Sequence, residues 1–143
     1  AQSLIDTYGM CNSQLTSPAP TTSTSIFQDA SPSFLPVFDA YYTEDNKTGI
    51  MPVSAKFLDL NPLGYAMRQS DYEQKQIIDF TAALQKFTDT GLSMELIFDM
   101  NKEDFTAKTV YDAIIHAWEQ KLKTIYYIRS ETVQPSVCVA CSG

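Results

Sequence analysis

Three groups of residues carry side chains suited to chemistry. Cys138 and Cys141 form a C-x-x-C close to the end of the chain. That spacing permits an intramolecular disulfide, and in many redox proteins it makes one thiol more acidic. It also serves as half of a zinc site. The only other ligands on offer would be His116 and Cys11, both distant in sequence. A terminal pair with no second pair favours redox work, so no metal is expected. Tyr126 and Tyr127 are adjacent in an apolar run. As successive strand residues, their rings should point to opposite faces, and ordinary strand packing is the plain account. The run 19–25 reads A-P-T-T-S-T-S and sets Thr21, Thr22, Ser23 and Thr24 just after Pro20. A helix starting there leaves backbone N–H groups free, and with the helix dipole they attract a phosphate. A simple N-cap is the alternative. His116 falls off its helix's apolar stripe and is expected at the surface, without a role.

The elements around these groups can be read from spacing. Residues 3–9 look like a helix end stopped by Gly9, and residues 12–20 like a short strand running into a turn. Apolar stretches on either side of the polar loop 43–49, which holds Asn46 and Gly49, predict a hairpin. Ser70 and Glu73 have the spacing of a capping box, with Ile77, Phe80, Leu84 and Phe87 following at helical intervals and Gly91 ending the run. Residues 94–99 read as a strand. Thr106 can cap a helix whose apolar face is Tyr111, Ile114, Ile115, Trp118 and Leu122, and residues 124–129 read as a last strand. Strands alternating with helices predict β-α-β units and an α/β architecture.

Bulk composition sets the limits. The chain has 143 residues, 44% of them hydrophobic, enough for one ordinary core. A formal charge of −7 offers no basic patch, so nucleic acid is not expected as a partner. No apolar run is long enough to span a membrane, and the start lacks the pattern of a signal peptide. Three cysteines do not make a secreted disulfide framework, so a cytoplasmic setting is expected. The missing initiator Met suggests a chain that begins inside a longer polypeptide. No linker splits residues 1–132, and residues 133–143 are expected to form a mobile tail.

The order of the three groups is more specific than any one of them. "YGMCNSQLTSPAPTTSTS", "LKTIYYIR" and "CVACSG" together resemble the C-terminal part of the large, catalytic subunit of aerobic (class I) ribonucleotide reductase. The resemblance runs from about Tyr8 to Gly143. It implies the C-terminal portion of a ten-stranded α/β barrel with a flexible redox tail. It further implies that Thr21, Thr22, Ser23 and Thr24 hold the substrate's diphosphate. Tyr126 and Tyr127 would relay a radical toward a cysteine in the barrel, and Cys138 and Cys141 would re-reduce the site by thiol exchange. No cofactor would be bound directly, since the radical metallocofactor belongs to a small partner subunit. The other implied partners are the N-terminal part of the large subunit, a ribonucleoside diphosphate, and thioredoxin or glutaredoxin.

The departures are as informative. The thiyl-forming cysteine and the buried cysteine pair of the family lie outside this sequence, so activity would require the N-terminal part, whether the chain comes from a split gene or from processing. Cys11 stands where relatives commonly carry another residue. Leu35 replaces an acidic residue before Pro36, and different packing is expected there. A barrel fragment should also leave sheet edges and apolar surface exposed. Two alternatives stand beside this reading: a fragment of the cobalamin-dependent reductase class, and a non-catalytic α/β module binding phosphate, or zinc through its tail.

Overall fold

The computed structural model describes residues 2–10, 12–46 and 49–131. Its centre is a β-α-β unit. Helix α3, Gln74–Gln85, leads into strand β3, Glu95–Asp99; helix α4, Ala107–Glu119, then returns the chain to strand β4, Tyr127–Glu131. The two strands are parallel, with Glu95 opposite Tyr127 and Asp99 opposite Glu131. The predicted α/β order is therefore found, with β4 starting three residues later than expected. Alternation along β3 sends Leu96 and Phe98 to one face, where with Met94 they join Ile77, Ile78, Ala113 and Ala117 in the buried core. Leu35 leans on this core as a partly buried side chain, together with Phe34.

Both helices begin and end for local reasons. At α4 the predicted cap is present: Thr106 Oγ1 accepts from the Thr109 N–H at 3.3 Å, and the Thr109 hydroxyl accepts from the Thr106 N–H at 3.1 Å. The helix closes with Lys121 in the left-handed region (φ 59°), and the Leu122 N–H donates to the Ala117 carbonyl at 3.0 Å. Leu122 thus lies beyond the helix but still packs on the core. The predicted Ser70–Glu73 capping box does not form. A short 3₁₀ turn, Gln69–Asp71, occupies that stretch, and the Asp71 carboxylate caps the Arg68 N–H at 2.7 Å. The Gln74 side chain secures the start of α3 instead. Its Nε2 donates to the carbonyls of Gln69 and Tyr72, and its Oε1 accepts from the Ile97 N–H at 2.9 Å.

The apolar faces are rotated from the expected ones. On α3 the buried positions are Gln74, Ile77, Ile78 and Thr81; Ile77 is buried as expected, while Phe80, and Phe87 just beyond the helix, are exposed. On α4 the buried positions are Ala113 and Ala117, and Tyr111, Ile114 and Trp118 face outward. Small residues let α4 lie close to its neighbours; the large ones have nothing among the described residues to bury them. Gly91 does not stop α3, which ends at Gln85. It makes room for the turn before β4, because a Cβ there would sit 2.7 Å from Thr124 Cγ2. His116 is not a free surface residue either: its Nε2 lies 2.7 Å from Asp79 Oδ1 and ties α4 to α3.

The first half is more open. Helix α1, Gln2–Tyr8, ends at Gly9 as predicted, with φ 73° and its N–H bonded to the Ile5 carbonyl. The strand expected over 12–20 is absent. Pro18 and Pro20 cannot donate, and the N–H groups of Leu15 and Thr16 go to the Asp89 carboxylate at 2.8 and 3.0 Å instead of to a ladder. Helix α2, Thr22–Phe27, follows. The hairpin is present as strands β1, Tyr41–Asn46, and β2, Gly49–Ser54, but its ladder runs into the predicted loop and pairs Asn46 with Gly49. The described strands form two separate two-stranded sheets, and no barrel closes among them. Large apolar side chains such as Phe27, Leu63, Phe87 and Trp118 stand exposed, as expected of a barrel portion. No helix among the described residues is long and apolar enough to cross a membrane.

Candidate functional site

The start of β4 brings the two tyrosines together. Tyr126 lies one residue before the strand, anchored by its N–H to the Met94 carbonyl at 2.8 Å, and Tyr127 is the first strand residue. Strict alternation has not begun at Tyr126, so its ring need not take the opposite face. The ring centroids are 4.1 Å apart at an interplanar angle of 53°. Both residues are 46% exposed, so the pair sits at a boundary and not inside the core. The Tyr126 phenol is held above its ordinary value, first by its hydrogen bond with Tyr127 and then by the charge of the neighbouring phenol.

Two charged residues complete the arrangement. Tyr127 and Arg129 are two apart on β4 and share a face, and register places Glu95 of β3 opposite Tyr127. The Arg129 guanidinium carbon lies 4.8 Å from the Tyr127 ring centroid and 5.9 Å from that of Phe38. Its Nε donates to Glu95 Oε2 at 2.6 Å and its Nη2 to Oε1 at 3.4 Å. Glu95 is buried, and the hydrogen bond to it holds the Arg129 guanidinium above its ordinary value. Sequence reading passed over both residues. The signal was present, since Tyr127 and Arg129 at period two must share a face once β4 is recognised.

The hydroxyl cluster lies across a narrow crevice. Thr21 is the residue before α2 and adopts the left-handed conformation (φ 56°). Its hydroxyl does not cap the helix; it accepts from the Ser33 N–H at 3.1 Å. Ser25 donates to the Thr22 carbonyl at 2.7 Å, leaving Ser23 and Thr24 exposed at the helix start. A crevice of ≈ 30 Å³ between Pro20, Thr22, Ser33, Gln69 and Glu95 joins this helix start to the carboxylate that holds Arg129. Gln69 lies at its base, with Nε2 bonded to the Glu95 carbonyl at 2.6 Å. A larger hollow of ≈ 320 Å³ at the far end of β3, beside Asp99, Lys102 and Asp112, touches none of the predicted site residues. Cys138 and Cys141, like Cys11 and the expected tail 133–143, lie outside the described residues. Among the described residues, no three His, Cys, Asp or Glu side chains converge on a metal position.

Comparison with known proteins places the chain in a family. The family model described as "Ribonucleotide reductase, barrel domain" matches residues 1–128. A protein named ribonucleoside-diphosphate reductase subunit alpha from Synechocystis is 34% identical over an alignment covering 97% of this chain and 20% of that protein. A protein of the same name from Helicobacter pylori is 32% identical, with 90% of this chain and 16% of that one covered. The chain therefore spans a fifth or less of the length of these two relatives. Among solved structures, the Actinobacillus ureae class Id ribonucleotide reductase alpha subunit superposes with a TM-score of 0.65 at 23% identity, covering 90% of this chain and 28% of that one. At that identity the likeness speaks for the fold.

Proposed function

The chain belongs to the ribonucleotide reductase barrel-domain family, and from that premise we propose that it acts as the C-terminal part of a ribonucleoside-diphosphate reductase large subunit. The observation that carries the proposal is the Tyr126–Tyr127 ring contact at 4.1 Å. Two phenols in van der Waals contact can exchange an electron and a proton together. A metallocofactor in a small partner subunit would supply a one-electron oxidant; to it Tyr127 gives up one electron and one proton. Tyr127 recovers both from Tyr126. Tyr126 recovers them from a thiol in the part of the large subunit that precedes this chain, leaving a thiyl radical that abstracts hydrogen from the ribose of a ribonucleoside diphosphate.

The other predicted residues take supporting roles. The backbone N–H groups from Thr21 to Thr24 receive the diphosphate; the absence of a side-chain cap on α2 supports this, because the donors are not already used. Cys138 and Cys141 give two electrons and two protons to the disulfide formed at each turnover and become a disulfide themselves, which thioredoxin or glutaredoxin reduces. The setting is cytoplasmic.

The test is Tyr126→Phe and Tyr127→Phe in the reassembled enzyme. Each should abolish turnover while substrate binding and subunit association persist. Phenylalanine preserves the volume but has no comparably accessible oxidised state. Near-wild-type turnover in either variant would remove that residue from the relay.

A further inference from the structure

We infer that Arg129 and Glu95 are positioning residues for the tyrosine pair: the guanidinium plane holds the Tyr127 ring against Tyr126, and the carboxylate cancels the guanidinium's charge at the ring face. The inference rests on the reading of Tyr126 and Tyr127 as a relay and adds to it two residues that do not themselves carry the radical.

The geometry supports each half. The Arg129 guanidinium lies over the Tyr127 ring at 4.8 Å and over that of Phe38 at 5.9 Å, so its plane limits where the Tyr127 ring can go. Two hydrogen bonds to one buried carboxylate fix that plane. A lysine could supply the charge but not the flat, forked contact. The carboxylate has a separate role. A cation over a ring is attracted by the ring's electron density. Removing an electron weakens that attraction, so a bare guanidinium would disfavour oxidation of Tyr127. With Glu95 paired to it, the ring meets the shape of the guanidinium with little net charge. The charged and titratable groups acting on the Tyr126 phenol are Tyr127, Glu95 and Arg129, and the last two oppose each other.

This opposition supplies a readout independent of activity. In the full chain labelled with fluorotyrosine, fluorine NMR can follow ionisation of Tyr126, its signal identified by loss in Tyr126→Phe. Glu95→Gln leaves the cation unbalanced, so Tyr126 should ionise at lower pH than in the wild type. Arg129→Gln leaves the anion unbalanced, so Tyr126 should ionise at higher pH. A purely structural disturbance has no reason to give opposite signs. Arg129→Lys should leave the ionisation near wild type. In the reassembled enzyme all three variants should lower kcat on the order of tenfold or more with KM little changed, as expected when reacting groups are misplaced. Shifts of the same sign, or none, in the two glutamine variants would overturn the inference, and so would unchanged kcat in all three. Failure of the relay reading looks different: Tyr126→Phe would turn over normally whatever the NMR result.

Discussion

The two halves of the chain are held in place by different forces. From Gln74 to Glu131 helix α3 and the β-α-β unit after it enclose Ile77, Ile78, Met94, Leu96 and Phe98, each at most 6% exposed. Among the residues before Gln69 whose burial is described, only Ser25 is buried. That half leans on the core through Phe34 and Leu35 and is otherwise tied on by directed bonds. The Leu15 and Thr16 N–H groups go to Asp89, the Val37 carbonyl accepts from the Gln69 N–H at 2.9 Å, and the Thr16 carbonyl accepts from the Thr90 N–H at 3.3 Å. Hydrophobic burial dominates the second half, and satisfaction of backbone groups dominates the first. The candidate site spans both: the tyrosines sit on the packed half and the hydroxyl cluster on the tethered one.

The strongest way to break this contrast is a cavity in the packed half. Ile78 is fully buried, so Ile78→Ala should cost about 2–5 kcal/mol, read as a fall in the denaturant midpoint. Phe27 in the tethered half is 90% exposed, and Phe27→Ala should stay within about 0.5 kcal/mol of wild type. Equal losses would mean that both halves share one core.

A smaller effect is expected at Gln74. Its amide fills the free edge of β3 and the turn before α3 together. Gln74→Leu keeps the bulk but takes the partner from the Ile97 N–H and the Tyr72 carbonyl, while the Gln69 carbonyl keeps only the Tyr72 N–H, at a cost of about 1–3 kcal/mol. Gln74→Glu keeps an acceptor for Ile97 and should cost less. Denaturant unfolding of the two variants ranks them, and the reverse order would show that the donor side of the amide matters more.

The contrast also explains what was legible in the sequence. The β-α-β order, the Thr106 cap and the hairpin follow from local patterns, and each is present. The errors arose where tertiary packing chose among several apolar faces. Phe80, Phe87 and Trp118 fit a helical stripe, yet Ile78, Ala113 and Ala117 are the buried residues. A stripe records which residues can be buried, and the partner surface decides which are. The same limit hid Glu95, since its pairing with Arg129 needs the register of β3 against β4, which neither segment encodes alone. The Tyr126–Tyr127 contact depends on the exact residue at which β4 begins, and strand boundaries are the least local feature of the pattern.

The mildest prediction concerns the tether itself. Asp89 is exposed, and its carboxyl is held below the ordinary aspartate range first by the Leu15 N–H, then by the N–H and hydroxyl of Thr16, with Lys123 adding a little. A carboxyl whose folded value is depressed contributes stability that is present above the unfolded value and is lost as pH falls through the folded one. The tether should therefore be intact at neutral pH and loosen below about pH 4. The Leu15 and Thr16 amide resonances should shift in that range, while those of Ile78 and Leu96 stay fixed. Asp89→Asn should produce the same local change at neutral pH, because a neutral amide oxygen replaces the charged Oδ2 that accepts from all three donors. The Thr90 bonds to the Thr16 carbonyl remain, so the segment should loosen without detaching. If the core resonances moved together with those of Leu15 and Thr16, the first half would be part of the same cooperative unit as the β-α-β core, and the division between packed and tethered halves would fail.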